Sequence, residues 1–420
     1  MANNNENKIL NVPNLRFPEF SGEWEMSSIG EQFELYSGNT PSRMNKNQFD
    51  GSINWITSGE LKEHYISDTK EKISEEAAKN NSLKLLPVGT FVIAIYGLEA
   101  NGVRGTCSIT TRESTISQAC MAFTSKMDIQ NEFLYSWYKK HGNIIGIKYA
   151  QGTKQQNLSY DIIERFNISY PCMEEQEKLI RFISLIDQRI ATQNKIIEDL
   201  KKLKSAIIDL LFCSPKEEYP RKRVTGFSDA WGLVKLSDIC DRITTKNSES
   251  TCSLVLTVAA QYGLVSQLDF FNKSVASENL ESYYLLEKGD FAYNKSYSSD
   301  YSWGAVKRLD LYPQGVLSPL YICFRPNPSR IDSDYLALYF ESRKWHKGIA
   351  DIAGEGARNH GLLNISVGDF FETKHRIPSL AEQRKIATIL NGLTAKISHN
   401  QALLTAFVQQ RKYMLAKMFI

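Results

Sequence analysis

The sequence is poor in the patterns from which catalytic centres are assembled. It has no GxxxxGK[ST] phosphate loop, and no GxGxxG follows a strand-like run, which argues against a nucleotide site of either common type. The six histidines show no HExxH or other metal-ligand spacing. There is no GxSxG elbow. No Asn- or Asp-Pro-Pro-aromatic tetrapeptide, of the kind amino-methyltransferases use on a flipped base, is present. The seven cysteines are odd in number and never form CxxC, which points to a reducing, cytoplasmic setting rather than a disulfide framework. No run of 18 apolar residues exists to cross a membrane. The opening MANNNENKIL lacks the charged and apolar regions of a signal peptide. Excess charge is also scarce. Fifty Lys and Arg against 47 Asp and Glu leave +3, which permits nucleic-acid binding without demanding it. A long chain without a catalytic signature is expected to bind rather than react, and its length suggests two to three domains.

What the chain does have is a heptad seam, written twice. Positions 179, 183, 186, 190, 193, 197, 200, 204, 207 and 211 alternate spacings of four and three, and eight of the ten are apolar. Adding 207 to each gives Ile386, Leu390, Leu393, Ile397, Asn400, Leu404, Phe407, Arg411, Met414 and Met418, again with eight apolar. The polar exceptions coincide: Gln193 and Lys204 match Asn400 and Arg411. Polar seam residues cost stability but set register, so these four are the expected register markers of a paired coiled coil. An antiparallel pairing with residue numbers summing to 604 sets Gln193 against Arg411 and Lys204 against Asn400. A parallel pairing also stacks polar on polar, so the seam alone leaves the direction open.

The offset of 207 recurs outside the helices. RFPEFSGEW at 16–24 is echoed by RVTGFSDAW at 223–231, so that Phe20, Ser21 and Trp24 match Phe227, Ser228 and Trp231. Asn157-Leu158-Ser159 matches Asn364-Ile365-Ser366, Pro171 matches Pro378, and Glu175-Gln176 matches Glu382-Gln383. Between them the offset slips to 200 at Phe91 and Phe291 and to 201 at Ile116 and Leu317. The chain is one unit of about 207 residues repeated, too long a period for a solenoid. Short apolar runs at 90–96, 118–123 and 321–324 read as strands, and 131–140 and 334–344 as helices. The expected class is therefore α+β: two similar domains alternating with two long helices. The expected divisions are a loose tail (1–13), a first domain (14–172), a central helix (173–213), a Pro- and charge-rich linker (214–223), a second domain (224–378) and a C-terminal helix (379–420).

These frame residues together resemble the specificity (S) subunit of type I restriction-modification systems. The resemblance rests on the RFPEFSGEW opening, on Ser37-Gly38-Asn39-Thr40-Pro41-Ser42, and on Ile53-Asn54-Trp55-Ile56-Thr57-Ser58-Gly59-Glu60-Leu61. It rests also on the loop Gly152-Thr153-Lys154-Gln155-Gln156-Asn157-Leu158-Ser159 and on the twice-written Pro…Glu-Gln lead into a long helix. It covers nearly all of residues 14–420. The second domain departs from it: residues 241–247 lack the Thr-Pro-Ser element, and Gly356-Ala357-Arg358-Asn359-His360-Gly361 replaces the Gln-rich loop. The resemblance implies two target-recognition domains held apart by antiparallel helices, each reading half of an interrupted double-stranded DNA site. It implies two docked methyltransferase subunits that methylate adenine with S-adenosylmethionine, and two restriction subunits driven by ATP and Mg, with no cofactor in this chain.

Base readout needs Arg, Lys, Asn and Gln in loops that can approach a duplex. In the first domain these are Thr40, Arg43, Tyr96, Asn101, Arg104, Lys154, Gln155 and Gln156. In the second they are Lys246, Lys295, Tyr297, Tyr301, Arg308, Arg358, Asn359 and His360. The competing reading of each is an ordinary solvated loop side chain, or partial core packing for the tyrosines. Trp24 and Trp231, being part of the repeated frame, are expected in the core; Trp55 and Trp303 are open. A stand-alone DNA-binding protein and a coiled-coil scaffold that never meets DNA are the alternative functions. A fused methyltransferase-specificity enzyme is disfavoured because no cofactor motif is visible.

Overall fold

The computed structural model describes residues 10–126, 128–248, 251–272, 279–298, 300–353 and 361–420. Contacts gather the chain into two compact units, Met1–Asn194 with Ala402–Ile420, and Lys195–Gln401. Each holds one α+β domain and parts of both long helices, Met173–Leu211 and Leu380–Met418.

In the first unit the strand Phe91–Ala94 is buried along its whole length, because every residue of FVIA is apolar and both faces are covered. It lies inside a five-stranded sheet in the order Phe33–Ser37, Cys120–Ser125, Phe91–Ala94, Cys107–Thr110, Tyr65–Ile66. A smaller sheet joins Lys72–Ile73, Ile53–Ile56 and Ser114–Ile116, and Glu25–Ser28 pairs with Asn167–Tyr170. The second unit repeats the central part as Cys240–Arg242, Ile322–Pro326, Phe291–Asn294, Ala305–Arg308. Phe91 faces Phe123 across one sheet and Phe291 faces Phe324 across the other. Gly232–Lys235 pairs with Lys374–Ile377, an offset of 207 from its counterpart. The offset slips where the insertions differ. The first unit carries the Ile53–Ile56 sheet, whereas the second carries the hairpin Leu256–Ala259 with Gly263–Ser266.

The helix Asn131–Tyr149 runs well beyond the expected residue 140. Gly142 and Gly146 look like helix breakers in the sequence, but each makes room for a neighbour. A Cβ on Gly142 would come within 2.5 Å of the Tyr138 ring, and one on Gly146 within 2.5 Å of Arg104 Cγ. Trp24 and Trp231 are core residues as expected. Trp55 is core as well, with its indole N–H donating to Asn39 O at 3.2 Å. Trp303 is half-buried at the edge of the second core.

The long helices supply part of each core. In the first unit Leu179 and Ile183 share a cluster with Leu415, Met418 and Phe419. In the second, Ile208 and Leu211 share one with Ile386, Ala387 and Leu390. Residue numbers climb along one helix as they fall along the other, so the helices pair antiparallel. All ten seam positions on each helix are buried or half-buried. The register, however, is not the one that sums to 604. Arg411 bonds Asp187, with Nη2 to Oδ2 at 3.2 Å, and the Arg189 guanidinium lies 4.6 Å over Phe407. The first pair sums to 598 (187 + 411). Lys204 is held by Glu341 of the second domain at 2.8 Å. A carboxylate gives a basic seam residue a stronger partner than an amide can, and that choice outweighs polar-on-polar matching.

The repeated frame motifs clamp domain to helix. Arg16 donates Nε and Nη2 to the Glu175 carboxylate at 2.8 and 2.6 Å; Arg223 donates to Glu382 at 2.9 and 2.8 Å. Gln176 Oε1 accepts from Gln130 N at the start of the helix Asn131–Tyr149, and Gln383 Oε1 accepts from Asp332 N before Ser333–Glu341. The Glu-Gln pair thus fastens the N-terminal segment and the domain's own helix to the long helix, twice.

Candidate nucleic-acid interface

In the first unit two loops meet beside the end of Phe91–Ala94. One, residues 95–106, returns the chain to Cys107–Thr110. The other, residues 150–159, follows the helix Asn131–Tyr149. Their backbones are fastened by Leu158 N to Ile95 O at 2.9 Å and Leu98 N to Gln156 O at 3.0 Å. Gln151 and Asn157 exchange two 2.9 Å hydrogen bonds that close the second loop. Gly152 sits inside that closure at φ +113°, where a Cβ would strike Gln155 O at 2.0 Å, so only glycine allows the turn. Lys154 and Gln155 are exposed at its tip, and Asn101 at the tip of its neighbour. Tyr96 is half-buried, its backbone bridging to Asn157.

Side chains complete the junction. Arg104 Nη2 donates to Gln156 Oε1 at 2.6 Å. Gln156 N donates to Glu99 Oε2 at 2.7 Å, which holds the Glu99 carboxyl below its usual range. Asn157 Oδ1 accepts from Gly97 N at 3.4 Å. The structure therefore brings Tyr96, Asn101, Arg104, Lys154, Gln155 and Gln156 together on one loop pair.

Thr40 and Arg43 belong to a different part of the unit. Thr40 N donates to Asn39 Oδ1 at 2.8 Å. Arg43 forms a bidentate pair with Glu71 at 2.7 and 2.8 Å and lies 5.1 Å over Phe49 and 5.7 Å over Trp55. Its side chain is 60% exposed, so a phosphate can reach it, in competition with Glu71.

The second unit repeats the loop junction. Leu363 N donates to Lys295 O at 2.9 Å, Tyr297 N to Gly361 O at 3.2 Å, and Ser296 bridges to Leu362. Ser298 and Tyr301 exchange two 3.2 Å bonds at the tip. Lys295, Tyr297 and Tyr301 thus occupy the place of residues 95–101. Arg358, Asn359 and His360, on the opposing loop, lie outside the described residues. Lys246 is exposed beside Tyr284. Arg308 is engaged with Asp310 and Asp334, both at 2.7 Å. Sequence matching at 207 aligns Asn157 with Asn364, but the bridging role of Asn157 falls to Leu362. Two extra residues precede Ser366, which holds the N-cap position of the next helix as Ser159 does, though only the Ser366 hydroxyl accepts a backbone N–H there, from Asp369.

Sequence reasoning missed Glu99, Asn157 and Gly146 as parts of this junction. Asn157 was signalled by its place in the repeated frame. Glu99 and Gly146 have no local signal, since each matters only once two distant loops are side by side. Among the described residues no helix is long and apolar enough to cross a membrane.

Residues 21–202 match the family model described as the type I restriction modification DNA specificity domain. The chain is similar to the specificity subunit of the type I restriction enzyme MjaIX of Methanocaldococcus jannaschii, 29% identical over 185 residues, which is 43% of this chain and 42% of that one. It is similar to the EcoR124I/EcoR124II specificity subunit of Escherichia coli, 28% identical over 208 residues, 47% of this chain and 50% of that one. The chain thus spans about half the length of these curated relatives. Among solved structures it resembles the type I S subunit from M. genitalium, with a TM-score of 0.54 at 16% identity over 97% of this chain and 99% of that one. It also resembles a chain from a study of complex assembly and conformational transition of the type I R-M system, with a TM-score of 0.57 at 15% identity, covering 94% and 97%. At these identities the structural likeness is one of fold.

Proposed function

We propose that this chain, whose first repeat carries a type I restriction-modification DNA specificity domain and which resembles the S subunits of those systems, reads a bipartite, interrupted site in double-stranded DNA. Each repeat reads one half. The observation that supports this most is the loop junction that recurs in both units, hung from matching sheet strands and fastened by a similar pair of backbone bonds between its two loops. A rigid backbone frame with polar, exposed tips is what base readout needs: the frame sets position and the tips vary the sequence read.

The chain's own residues bind and orient. Arg104, Gln155, Gln156 and Asn101 offer donors toward base edges, and Lys154 offers a charge to phosphate. The two helices hold the half-site readers at a set separation, which fixes the unread gap. Two methyltransferase subunits dock on the chain and methylate adenine from S-adenosylmethionine, and two restriction subunits supply ATP- and Mg-dependent cleavage. This chain supplies no catalytic group, and the assembly works in the cytoplasm.

The test is a mobility-shift titration of the chain co-purified with a type I methyltransferase subunit, at fixed salt, on genomic fragments and then on the interrupted site they define. Tight binding that needs both half-sites supports the proposal. Equal binding by the chain alone would favour a stand-alone DNA-binding protein, and no binding in either form a scaffold.

A further inference from the structure

Arg104 and Gln156 lie 52 residues apart in sequence, yet they meet at 2.6 Å on the exposed loop junction. The chemistry of that contact is one-sided. A guanidinium only donates, so the Gln156 atom that meets it is the amide oxygen. A lone glutamine reads adenine by presenting its oxygen and its NH2 together to one base edge. With the oxygen turned onto Arg104, one of its lone pairs is taken and the amide is no longer free to turn onto a base edge as a lone glutamine is. The outer end of the amide is then its NH2, beside a guanidinium whose Nη1 donates to nothing among the described residues. The outward groups of the pair are then chiefly donors, with one lone pair of the Gln156 oxygen left over.

The seat for this pair is built in advance. Gly146 leaves the space that the Arg104 stem fills, and the Glu99 carboxylate fixes the Gln156 backbone. Arg104 Nε is buried without a hydrogen-bond partner, so the side chain is held by packing and by Gln156 rather than by a carboxylate. Arg104 has no hydrogen-bonded carboxylate partner, unlike Arg308, which is paired with Asp310 and Asp334; the nearby Glu99 carboxylate, which its charge helps to lower, acts on it only at longer range.

In the major groove guanine alone presents two adjacent acceptors, N7 and O6, whereas adenine pairs an acceptor with a donor. We propose that Arg104 and Gln156 act as one reader of the guanine major-groove edge within the half-site of the first repeat. The inference rests on the DNA-reading role proposed above.

The test uses the intact complex of this chain with a methyltransferase subunit. In duplexes carrying its site, each guanine of the first half-site is replaced in turn by 7-deazaguanine, which lacks the N7 acceptor. One replacement is expected to weaken binding by roughly 5- to 150-fold, the cost of a lost specific base contact. Gly146→Ala, which displaces the Arg104 stem without altering its chemistry, and Arg104→Ala are expected to relax preference at that same base pair and to leave the second half-site unchanged. If no guanine of the half-site responds, or if the relaxed position is an A·T pair, the guanine assignment is overturned while DNA reading stands. If the complex binds no duplex selectively, both fall. The base-analogue series uses wild-type protein, so it decides the matter even where a variant fails to fold.

Discussion

Replacing Arg16 with Met should destabilise the first repeat, and the structure sets the size of the effect. Glu175 is 1% exposed and Arg16 16%, and two charge-assisted bonds of 2.8 and 2.6 Å join them. Methionine keeps most of the apolar stem but leaves a buried carboxylate without its cation. Losing one partner of a buried pair costs about 3–5 kcal/mol, and the partial exposure of Arg16 places this case near 3 kcal/mol. Replacing both residues, as Arg16→Met with Glu175→Leu, removes the stranded charge and should restore most of the loss. The neighbouring pair Lys178–Glu19 also ties the N-terminal segment to the first long helix. Its side chains are 44% and 46% exposed, so Lys178→Met should cost no more than about 0.5 kcal/mol. Native-state hydrogen exchange read on peptides of residues 14–172 measures the opening free energy of that repeat directly. A single variant costing under about 1 kcal/mol, or a double variant no better than the single, would refute the argument that burial makes this pair strong. The same geometry at Arg223 and Glu382, 17% and 1% exposed, requires the same result in the second repeat.

Two further outcomes follow from the repeated frame and from one buried histidine. Gln176 is fully buried, accepts from Gln130 N, and donates to Asp128 O and Pro171 O at 2.7 and 3.0 Å. Gln176→Leu leaves all three backbone groups without a partner and should lower the opening free energy of the first repeat by about 3 kcal/mol, checked by urea denaturation. His375 is held between Tyr339 and Thr373, and burial depresses it to about 4. Because Thr373 Oγ1 donates its own proton to Phe370 O, it accepts from His375 Nε2–H, and Nδ1 accepts from Tyr339. The folded state therefore binds this proton less readily than the unfolded chain. The stability it contributes is fully present above the ordinary histidine pKa of about 6.5 and is lost as pH falls through about 4, a drop of about 3 kcal/mol. His375→Gln should flatten that part of the pH–stability curve of the second repeat, and an unchanged slope would sink the assignment.

The helix seam was legible position by position, because a heptad places every fourth and third residue on one face whatever the rest of the chain does. Its register was not. Gln193, Lys204, Asn400 and Arg411 match one another in sequence, but a tertiary carboxylate, Asp187 or Glu341, takes each of the two basic residues. The Pro…Glu-Gln motif was visible as a repeat. Its work as a clamp was hidden, since Arg16 lies 159 residues from Glu175. In Asn131–Tyr149 two glycines hid nine further helical residues (141–149), because the reason for them is the bulk of Tyr138 and Arg104. At Gly152 the sequence showed only a Gly-rich loop, and the need for φ +113° becomes visible only once Gln155 O is placed against it. The candidate contacts were chosen loop by loop. That the loops at 95–106 and 150–159 form one surface follows from the tertiary path: Phe91–Ala94 and Cys120–Ser125 run antiparallel, and the helix Asn131–Tyr149 carries the chain back to the end where Phe91–Ala94 finishes, so that Leu158 N meets Ile95 O.

The central claim is that each repeat reads its own half of an interrupted DNA site. Long-read sequencing of genomic DNA from cells that express this chain with a type I methyltransferase subunit, scored for modified adenine, tests it most directly. The comparison is with a chain whose residues 14–170 come from another specificity subunit. An interrupted methylated motif in which that exchange changes one half and leaves the other half intact is the result predicted here. A continuous motif, a change in both halves, or no new methylation from soluble protein that co-purifies with the methyltransferase would contradict it.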